Sequence, residues 1–199
     1  MLLLYHFLHN RKTTKKTVAR TVATTHIVDA IAEKNGIGIL ETPVGFKYFV
    51  ETILSGDCII AGEESGGLSI SGHVPEKDGI LACLLIAEMR AIEKRPISEI
   101  LSSIYKQYGR LYSSRQDLEL SEDRKSRLMK KLSSSMLNRF AGQKVVRRDK
   151  EDGIRLFLHN GAWVLFRASG TEPVVRVYFE SGSKKSLKAV EKEIQRLVR

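Results

Sequence analysis

The chain has 199 residues, 42% of them apolar and 28% charged, with 15 glycines and 4 prolines. These are globular proportions for one large or two small domains, and they exclude a large multidomain machine. No apolar run approaches the roughly 18 residues needed to cross a bilayer, so a soluble protein with no membrane partner is expected. Cys58 and Cys83 lack C-x-x-C spacing and lie in apolar stretches, which argues against a disulfide scaffold or zinc site and for a reducing compartment, the cytoplasm.

The net charge is +10, from 33 basic and 23 acidic residues. Residues 1–108 hold 12 of each sign, whereas 109–199 hold 21 basic and 11 acidic. The asymmetry places a domain boundary near Tyr108-Gly109 and predicts an anionic partner for the second half, nucleic acid or a phosphorylated small molecule, unless the charge is only a solvated surface.

The opening Met1–Leu8 has apolar residues at 4, 7 and 8 and no capping residue before them, so it reads as a helix entered partway. Arg11, Lys12, Lys15 and Lys16 follow this stretch instead of preceding it, the wrong order for a signal peptide. The β-branched run 17–24 predicts a strand, 26–35 a helix stopped by Gly36, and 37–41 a second strand. Phe46, Phe49, Val50, Ile53 and Leu54 form the stripe of a core-facing helix, and 57–61 is a third strand running into Gly62-Glu63-Glu64-Ser65-Gly66-Gly67. Such alternation predicts βαβ units, a mostly parallel sheet and ligand loops at strand carboxyl ends. A hairpin-like excursion over 68–77 leads to Asp78 as N-cap, then to helices over 80–93 and, after Pro96, over 97–108.

Beyond Gly109 the pattern changes. A strand over 110–120, a helix capped by Ser121, and strands over 144–149, 154–158, 162–167 and 174–180 are expected. Asp152-Gly153 and Asn160-Gly161 supply positive φ for hairpins, so this sheet is largely antiparallel. Leu187, Val190, Ile194 and Leu197 mark a terminal amphipathic helix. The fold class is α/β: a three-layer α/β domain with a mostly parallel sheet over 1–108, then a smaller α+β domain with a largely antiparallel sheet over 109–199.

Three segments can carry chemistry. In 62–67, a carboxylate can accept hydrogen bonds from vicinal sugar hydroxyls, and the glycines let backbone approach a ligand, although a plain turn with two glutamates has the same composition. In Arg167-Ala168-Ser169-Gly170-Thr171-Glu172-Pro173, with Arg176 beyond, guanidinium forks, hydroxyls and turn N–H groups form a phosphate cradle that turn chemistry alone explains less well. In 72–79, His73 and Lys77 lie beside two carboxylates; Lys77 could neutralise phosphate, or move a proton if its pKa were lowered, while Asp78 is more simply a helix cap. No G-x-x-x-x-G-K-[ST], G-x-G-x-x-G or zinc pattern is present, and His6 and His9 read as solvated helical histidines. Basic residues are dispersed without aromatic interleaving, so no nucleic-acid partner is expected.

Glu41-Thr42-Pro43-Val44-Gly45-Phe46-Lys47, Gly62–Gly67, Pro75-Glu76-Lys77-Asp78-Gly79 and Arg167–Pro173 together resemble the α-D-phosphohexomutases, with bacterial phosphoglucomutase/phosphomannomutase as the nearest branch. The resemblance covers essentially the whole chain and corresponds to the third and fourth of the family's four domains. It implies that Glu63 and Ser65 contact sugar hydroxyls, that Arg167, Ser169, Gly170 and Thr171 hold the non-reacting phosphate with help from Arg176, that Lys47 lies in the loop selecting sugar orientation, and that His73 and Lys77 assist near the sugar and reacting phosphate. The family interconverts hexose 1-phosphate and hexose 6-phosphate through a hexose 1,6-bisphosphate. It is an intramolecular phosphotransferase that uses a phosphoserine loop and a Mg2+ loop from the first two domains. Neither loop motif occurs in this sequence, so no residue is assigned to a metal and the isolated chain is expected to be inactive. A complementary chain carrying those domains is an implied partner. The alternative is a non-catalytic phosphosugar-binding descendant.

Overall fold

A computed structural model describes residues 1–134 and 137–198. It divides into two compact units, Met1–Arg110 and Leu111–Arg199.

The first unit runs α1 (Leu2–His9), β1 (Thr17–Thr21), α2 (Ile27–Lys34), β2 (Gly38–Thr42), a 3-10 turn (Phe46–Phe49), α3 (Val50–Leu54), β3 (Cys58–Gly62), β4 (Leu68–Ser69), α4 (Gly79–Glu93) and α5 (Ile97–Tyr108). Its sheet has the order β2-β1-β3-β4, with β1 parallel to both β2 and β3 and only β4 antiparallel. A bulge sets Thr17–Ala19 of β1 against Cys58–Ala61 of β3. It lets consecutive Ile59 and Ile60 join the core under α1, α2, α4 and α5, while Cys58 and Ala61 join Phe46, Phe49 and Ile53 in a second core. Two helical layers thus enclose the sheet, and its carboxyl ends lead into the 62–67 loop.

Several sequence expectations need correction here. The 46–54 stripe is not one α-helix: its first turn is 3-10, with three residues per turn, so Phe46, Phe49 and Ile53 stay inward while Leu54 is 66% exposed. The first strand ends at Thr21, because Thr24 N–H turns back to the Thr21 carbonyl. His6 is not solvated. Helix α1 packs its Leu3, Leu4 and Phe7 face into the core, and His6 is fully buried, with Glu88 of α4 3.6 Å away and Asn10 Nδ2 at 3.1 Å from its Nδ1. Burial lowers the His6 pKa, with Glu88 opposing that shift.

The second unit comprises β5 (Tyr112–Glu119), α6 (Glu122–Ser133), β6 (Arg139–Phe140), β7 (Gln143–Asp149), β8 (Ile154–Leu158), β9 (Trp163–Ala168), β10 (Val174–Ser181) and α7 (Lys184–Leu197). The sheet order is β5-β10-β9-β8-β7-β6, antiparallel throughout. Its core joins Leu128 and Leu132 of α6 and Val190 and Ile194 of α7 to Leu156, Val164, Phe166, Val177 and Phe179. Each fully buried side chain of this kind contributes roughly 1.5–3 kcal/mol. Gly153 (φ +101°) and Gly161 (φ +79°) occupy the hairpin turns. Ser121 sits at the N-cap position of α6 but makes no side-chain cap bond. Ser183 does cap α7, accepting from the Ser186 N–H at 3.1 Å.

Candidate functional site

In the first unit, β3 ends at Gly62, and the chain reverses so that Glu63 N–H donates to the Gly67 carbonyl at 2.9 Å and Gly66 N–H to the Glu63 carbonyl at 3.1 Å. This closed turn holds Glu63, whose side chain is only 4% exposed, against Lys77 Nζ at 3.0 Å. Ser65 Oγ donates to the same carboxylate at 3.4 Å. Gly67 lets Lys77 lie close to the turn: a Cβ there would lie 2.8 Å from Lys77 Cδ and 3.2 Å from Glu63 Oε2, so the lysine side chain would have to shift. The Glu63 carboxylate raises the Lys77 pKa, so this ammonium is held charged, the opposite of the lowering that proton transfer by Lys77 would need.

His73 joins the group through Asp78. One Asp78 oxygen caps α4 at Leu81 N–H (2.8 Å) and the other lies 2.7 Å from His73 Nε2. The cap bond first, then His73, lowers the Asp78 pKa. Capping and positioning are thus simultaneous roles of one carboxylate. Phe46 lies 5.9 Å below Lys77 Nζ, and Thr21 Oγ1 donates to Glu64 at 3.2 Å. Lys47 is not drawn into this cluster by any contact described: its ammonium lies over the Tyr48 ring at 5.0 Å. A cavity of about 300 Å³ borders Glu63 and Gly66–Gly67, but its walls are mainly the apolar side chains of Met1–Leu4, Val28, Ile60 and Ile86, unsuited to sugar hydroxyls.

In the second unit, β9 and β10 bracket the 169–173 loop, and their register puts Arg167 directly opposite Arg176. Ser169 Oγ accepts from the Thr171 N–H (3.4 Å) and the Glu172 N–H (3.1 Å), while Ser169 N–H donates to the Val174 carbonyl at 2.9 Å. Arg167 pairs through Nε with Asp152 at 2.9 Å, and Arg176 pairs with Glu172. Sequence reading missed Lys125, which comes from α6 with an 11% exposed side chain. It donates to Glu122 (2.7 Å) and to the carbonyls of Ser169 (3.0 Å) and Glu172 (3.3 Å), bracing both ends of the loop. No periodicity marks it; only the pairing of α6 with that loop does.

Within either unit taken by itself, the described residues bring no three His, Cys, Asp or Glu ligand atoms together. Glu63 and Glu64 are engaged by Lys77 and Thr21. The donor set therefore does not fit the Mg2+ that the resemblance implies, and no chemistry is derived through it.

The family model for the phosphoglucomutase/phosphomannomutase alpha/beta/alpha domain III matches residues 1–108, and that for the phosphoglucomutase/phosphomannomutase C-terminal domain matches 114–197. The chain belongs to the phosphoglucomutase/phosphomannomutase family. It is 33% identical over 184 residues to a phosphoglucomutase of Rhizobium radiobacter, covering 82% of this chain and 34% of that relative. It is 32% identical over 163 residues to a phosphoglucomutase/phosphomannomutase of Thermococcus kodakarensis, covering 82% and 33%. Among solved structures, a Thermus thermophilus protein assigned as a phosphomannomutase superposes with a TM-score of 0.76 at 35% identity, covering 99% of this chain and 39% of that one. The chain thus spans about a third of the length of the curated relatives it matches. Among the described residues, no helix is long and apolar enough to cross a membrane.

Proposed function

We propose that this chain is the substrate-binding C-terminal part of a cytoplasmic phosphoglucomutase/phosphomannomutase, an enzyme interconverting hexose 1-phosphate and hexose 6-phosphate through hexose 1,6-bisphosphate. The observation that carries this reading is the facing pair Arg167 and Arg176, flanking a loop whose Ser169 is already turned to its own backbone N–H groups. Two guanidinium forks with hydroxyl donors suit a phosphate monoester, each charge-assisted bond contributing roughly 1.5–3 kcal/mol.

In this reading Arg167, Ser169, Gly170 and Thr171, assisted by Arg176, anchor the non-reacting phosphate. Glu63 and Ser65 accept and donate to sugar hydroxyls, and Lys77, held charged by Glu63, offsets negative charge near the sugar. His73, oriented by Asp78, assists there, and Lys47 helps select sugar orientation. Positioning by these groups reduces the entropic cost of phosphoryl transfer. The resemblance assigns the nucleophilic phosphoserine and the residues that would hold Mg2+ to parts of the enzyme this sequence does not span, so we propose that the chain alone is inactive and that a polypeptide carrying the first two domains completes it.

The test is a titration of the 199-residue chain with glucose 1-phosphate. Arg167→Ala is expected to weaken binding by about 10- to 100-fold, since it removes a charge-assisted fork. Lys188→Ala on α7 should leave binding unchanged. Equal effects of the two substitutions refute the anchor. Turnover by the pure chain with Mg2+ and glucose 1,6-bisphosphate refutes the division of labour.

A further inference from the structure

The two arginines of the phosphate loop each carry an acidic partner, and the two acids differ in kind. Like charges directly opposite on antiparallel strands repel, so Arg167 and Arg176 need neutralising when no ligand is bound. Asp152 lies outside the loop, in the turn before Gly153, and its carboxylate lies 2.9 Å from Arg167 Nε. Glu172 lies inside the loop with its side chain 52% exposed. Its carboxylate accepts from Arg176 Nη2 and lies 3.5 Å from Ser169 Oγ, and its own N–H donates to the same Ser169 oxygen at 3.1 Å. Glu172 therefore engages two of the groups that an incoming phosphate would use.

We propose that Glu172 is a built-in competitor, occupying the anion position until a dianion displaces it, and that it thereby makes the site discriminate phosphate dianions from monoanions. This rests on reading 167–173 as the phosphate anchor. A monoanion replacing Glu172 exchanges one charge for another and still bears the cost of association. A phosphate dianion gains a second charge and a third oxygen against Arg167, Arg176 and the loop hydroxyls of Ser169 and Thr171. Displacement itself is easy, because an exposed ion pair four residues apart is weak. Asp117, opposite Arg176 on β5 and paired with Arg115, keeps an acidic neighbour beside Arg176 when Glu172 leaves. Lys125 holds the Glu172 carbonyl, so the backbone stays in place while the side chain moves.

The experiment uses the full isotope-labelled chain, titrated with inorganic phosphate and separately with acetate, following the Gly170 and Thr171 amides by NMR. Wild type is expected to respond to phosphate and hardly to acetate. Glu172→Gln keeps the size of the side chain and removes its charge; it should tighten phosphate about two- to fivefold, the range set by an exposed ion pair, and bring acetate into measurable binding. Glu172→Ala should move both affinities in the same direction, which separates loss of competition from a disturbed loop. If Arg167→Ala weakens phosphate but neither Glu172 variant tightens it, the anchor stands and the competitor is wrong. If Arg167→Ala has no effect, or wild type shows no phosphate response, the anchor reading fails and the competitor with it.

Discussion

Gly153→Ala probes how the β7–β8 turn supports the arginine loop. A side chain at this position meets two separate costs. Its φ of +101° lies where residues with a Cβ are strained by roughly 1–3 kcal/mol. The Cβ would also lie 2.4 Å from the Phe166 carbonyl oxygen and 3.2 Å from Arg167 Cα, both backbone atoms that cannot swing aside. Phe166 pairs with Ile154 in the β8–β9 ladder, so relieving the overlap disturbs ladder hydrogen bonds at about 1 kcal/mol each. The combined loss is about 3–4 kcal/mol, which in a unit of fewer than 100 residues lowers the melting midpoint by roughly 12–32 °C. Trp163 is the only tryptophan and is buried in β9, so its fluorescence follows this unit by itself. Gly161→Ala is the control: φ is +79°, but nothing lies within 4 Å of its Cβ, so only the torsional cost remains, about 1–2 kcal/mol. Equal midpoints for the two variants would refute the claim that close approach to Phe166 and Arg167 dictates glycine at 153.

Lys125→Met should cost the second unit about 1.5–3 kcal/mol by leaving the Ser169 and Glu172 carbonyls without their charged donor, and should weaken phosphate binding about five- to tenfold; urea unfolding and phosphate titration read the two effects. The depressed pKa of His6 means that its neutral form is favoured in the fold, so this contribution is complete above about pH 6.5 and is lost as pH falls from there through the folded-state value. Calorimetry of His6→Gln against wild type at pH 8, 6 and 5 should show a flatter decline for the variant, with Glu88 and Arg11 being the charged groups beside the site. Cys83 is exposed, whereas Cys58 is buried with its thiol pushed up to about 11; one thiol should react with a thiol reagent in the native chain and two in denaturant.

Strand and helix order was legible from local signals because hydrophobic periodicity and turn residues act over a few positions. Ile154–Leu158, bounded by Asp152-Gly153 and Asn160-Gly161, and the α7 stripe at Val190 and Ile194 are examples. The loops at 62–67 and 167–173 were visible because their polar and glycine residues interrupt apolar strands. Burial of His6 was not legible, since the helix turn that places it beside Leu3 and Phe7 says nothing about a second helix lying over that face. The 3-10 phase at Phe46–Phe49 was hidden for a related reason: i, i+3 spacing fits both helix types, and packing on Cys58 and Ala61 selects one.

The amino-acid order alone determined an α/β unit followed by an antiparallel α+β unit, the family pattern and the excess positive charge of the second unit, because each depends on residue type and near-neighbour spacing. Tertiary structure decided which charges meet. Lys77 meets Glu63 because the 62–67 turn folds back onto it, Arg167 faces Arg176 because of the β9–β10 register, and Lys125 reaches the loop from a helix 44 residues earlier than Ser169. Electrostatic interaction falls with distance through space, and only folding sets that distance.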